Sequence, residues 1–416
     1  MIGNPATKRV AWAAVALLWV AALFNYLDRN VIATLHGPIV ADVPMTEAQF
    51  GLLMSILLWC YGLASPWCGF LADRFSRKRV IFISLAVWST VTWLTGCMHS
   101  FAGLFWMRAV MGVSEACFLP AALALICDHH RGSTRSRATA LFNSGTYTGG
   151  TLSGFGAYLA LVGGWRFGFT LLGAAGVGYA LVLVLFLRDG PRTEVAAGTL
   201  PGGSPPVRLG AALRELFSRP AFWLLELLNT FISITNWLIY GWMPVYLEEK
   251  FHLASGPAGR DATVYLQATS FLCIFIGGYW ADRWSRRNPR GRMLVAAIGF
   301  CVAGPGLWAV GAGGTLWLVL LGVCGYGVGR GFYDANTMPM LRQLTDERYS
   351  ATGFGFLNCV GCLTGGAMTY LSGALRDAHI GLEVLFKICA VCILATSFLL
   401  FLLKPRRATA VAPASL

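Results

Sequence analysis

Twelve stretches of roughly 20 mostly apolar residues, separated by short polar breaks, leave few folds open to this 416-residue chain. A helix rises about 1.5 Å per residue, so each stretch matches the roughly 30 Å hydrocarbon core of a bilayer. The runs are residues 10–35, 47–71, 80–97, 101–127, 137–162 and 167–187, then 222–247, 263–281, 293–312, 316–341, 351–375 and 382–403. Inside lipid every backbone polar group must be paired within the segment, so the runs are predicted to be helices. Charged residues make up 12% of the chain and apolar ones 56%, against about 25% charged in a soluble domain. The expectation is an all-α polytopic membrane protein of twelve transmembrane helices, with the lipid bilayer as a partner.

The spans fall into two sets of six, divided by a Pro-, Gly- and Ser-rich stretch from Arg188 to Pro220. It contains GTLPGGSPP and room for one short surface helix, Leu209 to Phe217. The loop after the second span, GFLADRFSRKR at Gly69 to Arg79, returns after the eighth as GYWADRWSRR at Gly278 to Arg287. Asp73 and Asp282 differ by 282 − 73 = 209 positions, half the chain, which marks a duplication. The predicted organisation is therefore an N-terminal six-helix bundle at 1–187, a cytoplasmic linker at 188–220 and a C-terminal six-helix bundle at 221–416, related by pseudo-symmetry.

A formal charge of +13 invites a nucleic-acid reading, but the cations sit in short loops between apolar runs. With the N-terminus in the cytoplasm, Lys8, Arg9, Arg74, Arg77, Lys78, Arg79, Arg188, Arg283, Arg286, Arg287, Lys404 and Arg406 all lie inside. The outside segments hold little more than Arg166, Lys250, Arg260 and Arg376. This asymmetry predicts cytoplasmic termini in a cell (inner or plasma) membrane and no nucleic-acid partner. The twelve cysteines are mostly single within apolar spans, and Cys359-x-x-Cys362 lacks a second ligand pair, so no metal or disulfide framework is expected. His129-His130-Arg131 reads as a solvated loop, and Gly325 to Gly331 (GYGVGRG) as small residues for close helix packing. No Walker motif or nucleophile elbow is present. The chain is expected to be no enzyme, to need no cofactor beyond a proton gradient, and to act as a monomer.

Ionisable residues inside spans are costly, so they mark substrate and proton pathways. The first span carries Asn25-Tyr26-Leu27-Asp28-Arg29, with Asn25 and Arg29 on one face and Asp28 about 100° round from Arg29. The fourth carries Arg108 and Glu115, seven apart on one face; the adjacent turn offers Glu115 no cation, and an apolar wall favours its neutral form. Arg108 stays charged in any surroundings. The tenth carries Arg330 and Asp334 as an i,i+4 pair, then Asn336 and the kinking Pro339. The seventh carries the polar and aromatic set Asn229, Thr230, Ser233, Asn236, Trp237 and Tyr240. Glu226, near its cytoplasmic end, reads as a helix-end carboxylate among headgroups. The Asp28-Arg29 and Arg330-Asp334 combinations also admit a purely structural reading as internal ion pairs. Permanent cations beside titratable carboxylates suit the binding of an organic anion together with protons.

Two six-helix halves carrying G-x-L-A-D-R-x-x-R-K-R and a degenerate echo resemble the major facilitator superfamily over essentially the whole chain. The resemblance implies that Asp73, Arg74 and Arg77, with Asp282 and Arg283 as counterparts, form a cytoplasmic gate that locks the halves when the transporter faces outward. N-Y-L-D-R in the first span, R-x-x-x-G-x-x-E-A-x-x-x-P at Arg108 to Pro120, F-N-S-G at Phe142 to Gly145 and G-W-R at Gly164 to Arg166 resemble the anion:cation symporter branch. That likeness implies proton-coupled transport of a hexuronate, aldonate or related sugar acid, with Asp28 and Glu115 as proton carriers and Arg29 and Arg108 meeting the carboxylate. Asn25, Tyr26, Asn236, Trp237, Tyr240, Arg330, Asp334 and Asn336 complete the expected substrate site. The first two motifs and L-A-D-R-x-x-R-K are also similar to spinster-like lipid transporters, so a lipid, lysolipid or amphiphile exporter is the alternative. A sensor that uses the fold without transport is a third.

Overall fold

A computed structural model describes residues 5–130, 133–190, 209–345 and 349–402. They form fifteen helices and, among the described residues, no strand: α1 (Pro5–Thr34), α2 (His36–Asp42), α3 (Glu47–Arg74), α4 (Arg77–Thr95), α5 (Phe101–Ala116), α6 (Phe118–His129), α7 (Ser133–Ser153), α8 (Gly156–Phe186), α9 (Leu209–Phe217), α10 (Pro220–Phe251), α11 (Ser255–Ser285), α12 (Gly291–Ala312), α13 (Leu316–Leu344), α14 (Ser350–Asp377) and α15 (Leu382–Leu402). Ten helical stretches among them are long and apolar enough to cross a membrane. The third and fifth expected spans fall outside that ten: α4 opens on Arg77-Lys78-Arg79, and α7 is rich in Ser, Thr and Gly. The short helix expected within the break is α9, while residues 191–208 lie outside the described residues.

Local chemistry sets the boundaries. Thr46 and Gln49 close a reciprocal capping box at the start of α3, and Ser76, Ser100 and Thr315 accept the capping N–H of α4, α5 and α13. The fourth span is not one helix from 101 to 127. It breaks at Cys117, directly behind Glu115, because Pro120 has no N–H and its ring crowds the carbonyl of Ala116. The fifth span runs through α7, breaks at residues 154–155 and continues into α8 as far as Gly163 and Gly164. Gly164 has φ +79°, a conformation only glycine takes freely, and there the chain turns into the sixth span. The eighth span begins eight residues earlier than expected, at Ser255.

The first six spans pack together mainly through α1 on α7, α4 on α8 and α3 on α5; the last six pack through α12 and α11 on α13 and α12 on α15. The sets are joined chiefly by α3 on α14, α7 on α11 and α1 on α10, with lesser contacts of α11 to α8 and α1. Along α3 and α14 the backbones come close enough for Ser55 Oγ to donate to Gly366 O at 2.6 Å and Trp59 Nε1 to Leu363 O at 3.1 Å. The outer surface is apolar, with Trp67, Leu161, Leu185, Trp317 and Phe398 exposed, as lipid contact requires.

At Gly149 a Cβ would overlap the carbonyl of Leu23, so this glycine sets the approach of α7 to α1. Gly149→Val is expected to lower stability by about 1–3 kcal/mol, the usual cost of overpacking. Thermal unfolding in detergent checks this, and an unchanged midpoint would refute the packing role.

Candidate functional site

α1 and α5 bring four charged side chains into the buried interior of the first six spans. Arg29, 6% exposed, donates through Nε at 2.9 Å and Nη2 at 2.6 Å to Glu115 Oε2, and Glu115 is 0% exposed. The carboxylate that lacked a cation on its own helix thus takes one from α1. Asp28, adjacent in sequence, does not pair with Arg29. Its carboxyl is 0% exposed with neither oxygen in a well-formed hydrogen bond, and Trp88 and Thr92 of α4 are polar groups that act on it. The rings of Tyr61 and Tyr26 flank the Arg29 guanidinium at 4.5 and 5.3 Å.

Arg108, 2% exposed, binds only neutral groups: Arg29 O at 2.9 Å, Leu53 O at 3.4 Å and Met111 Sδ at 3.5 Å. Its surroundings contain Glu115 and Asp28, but neither bonds to it. With both carboxyls ionised the four charges sum to zero, and with either one protonated a net positive charge remains. Gly112 makes this geometry reachable, because a side chain there would strike the Leu57 carbonyl and hold α5 away from α3.

Arg29 and Arg108 line a small cavity of about 20 Å³ between the two sets of spans. Asn30, Met54 and Leu57 share its first wall, and Trp237, Tyr240 and Thr369 form the opposite one. Tyr240 links the cavity to a second polar group, since its hydroxyl accepts from Arg330 Nη1 at 2.9 Å and from Gln267 Nε2. Arg330 also donates to Gln267 Oε1 at 3.3 Å and lies 3.5 Å from Asp334, while Tyr147 Oη donates to Asp334 Oδ2 at 3.1 Å. Because Tyr147 is on α7, this bond crosses between the two sets.

The expected residues therefore divide. Asn25, Tyr26, Arg29, Arg108 and Glu115 cluster at one wall, and Trp237, Tyr240, Arg330 and Asp334 at the other. Asn336 leaves the site: it bonds Phe332 O at 2.9 Å and receives Arg292 of α12 at 3.4 Å, since it stands two residues past Asp334 and so faces away. Asn236 does not line the cavity, and its Oδ1 has no partner. Glu226 is not among headgroups but 5% exposed. Gln267 and Tyr147 escaped the sequence reading, although Gln267 is a lone amide in an apolar span and that was its available signal.

The two ends of the bundle differ. At the end away from α9, Asp377 of α14 accepts the backbone N–H of Glu47 at 3.0 Å and of Ala48 at 2.9 Å, which caps α3. Arg376 joins Glu249 at 2.7 Å to Glu47 at 3.4 Å, its guanidinium over the Trp242 ring, and His36 Nε2 meets Glu47 at 3.1 Å. This clamp fastens the first set to the second. At the α9 end the duplicated loops instead brace their own sets: Arg77 pairs with Asp128 of α6, and Asp282 pairs with Arg292 of α12. Arg74 and Arg283 are exposed, and the Asp73 side chain lies outside the described residues. The expected lock between the halves is not made by the described gate residues in this arrangement, which is fastened at the opposite end. Arg376→Ala together with Asp377→Asn is expected to release the clamp. Accessibility of a cysteine placed at Ala48 should then rise several-fold, and unaltered labelling would refute the clamp.

The sequence model of the Major Facilitator Superfamily matches residues 18–369 and again 262–415. The chain belongs to the Major Facilitator Superfamily. It is an integral membrane protein with that superfamily's twelve-helix, two-bundle fold. The chain is similar to a probable L-galactonate transporter of Escherichia coli (strain K12), 29% identical over 265 residues, covering 62% of this chain and 58% of that protein. It is also similar to protein spinster homolog 1 of Xenopus tropicalis, 25% identical over 316 residues, covering 71% of this chain and 59% of that protein. The matched region thus spans less than two thirds of either relative. In fold, this facilitator resembles the crystal structure of a bacterial homolog to the human lysosomal transporter Spinster, inward-facing and unoccupied. The TM-score is 0.75 at 21% identity, covering 96% of each chain.

Proposed function

We propose that this protein is a secondary transporter that carries a small organic anion, a sugar acid or related carboxylate, in symport with protons. One observation carries the reading: Arg29, bound to buried Glu115, and Arg108, with no carboxylate partner, stand side by side on the wall of a cavity between the halves. An arriving carboxylate finds Arg108 free and competes with Glu115 for Arg29. Protonation of Glu115 weakens its hold on Arg29, which then becomes available to the substrate. Asp28 is a second proton carrier, buried against α4 with no cation bonded to it. Neutralising one of these carboxyls offsets the charge of a monoanionic substrate, so the halves can close over the cavity without an unpaired buried charge.

The cation asymmetry of the loops supports a cell-membrane orientation with the α9 end and both termini on the cytoplasmic side. The clamp at the other end then corresponds to a closed outer gate, and alternating access is rocking of the two halves around the cavity. The duplicated loops, Asp73, Arg74 and Arg77 with Asp282 and Arg283, exchange partners when the inner end closes. Tyr240, Trp237 and the Arg330-Asp334 pair contact the part of the substrate remote from its carboxylate. The transporter works as a monomer and needs no cofactor.

The galactonate named for one relative is of the ligand class these two cations fit. The spinster relative supports a second reading, an exporter of lysolipids or similar amphiphiles. A thermal-shift screen of aldonates and hexuronates against lysolipids separates the two. Stabilisation by the sugar acids is expected, while stabilisation by lysolipids alone would overturn the anion reading.

A further inference from the structure

Glu226 sits in the seventh position of α10, among the second set of spans and away from the Arg29-Glu115 cluster. It is 5% exposed, yet neither carboxylate oxygen has a hydrogen-bond partner. Among the described residues no cation acts on it. α13 turns Tyr333 toward it, α14 turns Cys359, and Asn229 is the polar neighbour on its own helix. α11 and α15 present it with no charged group, and Arg219 at the head of α10 is taken by Glu215 of α9 at 2.8 Å. Burying a carboxylate without a counter-ion is costly, and a bound proton removes that cost.

The same helix face leads from Glu226 to the cavity. Glu226, Asn229, Ser233, Asn236 and Tyr240 follow one another at steps of 3, 4, 3 and 4, the spacing of a single stripe. Asn229 accepts from Tyr333 Oη at 3.3 Å and donates to Leu357 O at 2.7 Å. Ser233 stands against Gly361 of α14, where a Cβ would come within 2.7 Å of its hydroxyl. Asn236 keeps an unpartnered oxygen, and Tyr240 both lines the cavity and binds Arg330. An apolar stripe would pack α10 against α14 equally well. A polar one that begins at an unpaired carboxyl and ends at the ligand cavity has the composition of a proton route.

We propose that Glu226 is a second proton-binding site, in the half opposite Glu115, which takes up and releases a proton along this face of α10 as the halves rock. On uptake the proton moves from water in the cavity to the Glu226 carboxylate, and on release it returns to water at the α9 end. The coupling to transport rests on the symport reading, whereas the titration of the carboxyl does not.

The test uses the full-length protein in lipid vesicles. Infrared difference spectra between mildly acidic and mildly alkaline buffer are expected to contain a protonated-carboxyl band that Glu226→Gln removes, Glu226→Asp restores at a shifted position, and Glu115→Gln leaves in place. Spectra of Glu226→Gln that match the parent would overturn the proposal, because the carboxyl would then not change its protonation between the two buffers. In flux measurements Glu226→Gln should keep substrate counterflow but reach a lower accumulation ratio at a fixed pH gradient. An unchanged ratio would overturn the coupling even if the band is lost. If the parent accumulates nothing on a pH gradient, the symport reading falls and the infrared arm alone decides for Glu226.

Discussion

Glu115→Gln is expected to leave substrate counterflow intact while abolishing accumulation driven by a pH gradient. The glutamine keeps the size of the carboxyl and one acceptor oxygen for Arg29, so the 2.6 Å contact survives in a neutral form. What it loses is the charge that holds Arg29 away from substrate and the ability to bind and release a proton. Removing a charged partner from a buried ion pair costs about 3–5 kcal/mol when nothing replaces it. The retained amide oxygen, and a bound anion, both reduce that cost. The variant should therefore be less stable without ligand and respond more strongly to substrate in thermal unfolding. Intact gradient-driven accumulation would remove Glu115 from the proton route.

Arg108→Ala is expected to abolish measurable binding of a carboxylate substrate. The guanidinium is almost fully buried and bonds only to carbonyl oxygens and one thioether, so its charge is uncompensated by any bonded acid. A hydrogen bond to a charged group contributes about 1.5–3 kcal/mol, equivalent to roughly ten- to a hundredfold in Kd. The two-pronged geometry of arginine adds to that, and Arg108→Lys should recover only part of it, because an ammonium cannot bond both carboxylate oxygens in one plane. Isothermal titration with an aldonate measures both variants. Wild-type affinity in Arg108→Ala would place the substrate elsewhere.

The spans were legible because hydrophobic length alone reports them, and the position of Pro120 accounts for the break behind Glu115. The partner of Glu115 was not legible. It depends on how near α5 comes to α1 and α3, which Gly112 permits by having no side chain, and local spacing carries no record of that approach. Adjacency suggested Asp28 for Arg29, but consecutive helical residues point about 100° apart, so Asp28 turns to α4 while the long Arg29 side chain reaches α5. Asn336 points away from the cavity for the same reason, lying past the face that holds Arg330 and Asp334. Glu226 was misjudged because its nearness to a helix start suggested headgroups, whereas α9, α13 and α14 pack around that end of α10.

Uptake of a labelled aldonate into vesicles containing the purified protein, with and without an inside-alkaline pH gradient, tests the central claim most directly. Symport through the Arg29-Glu115 site predicts accumulation above equilibrium that requires the gradient and collapses when a protonophore is added. Aldonate uptake indifferent to the gradient, or movement of lysolipid with no movement of aldonate, would contradict it.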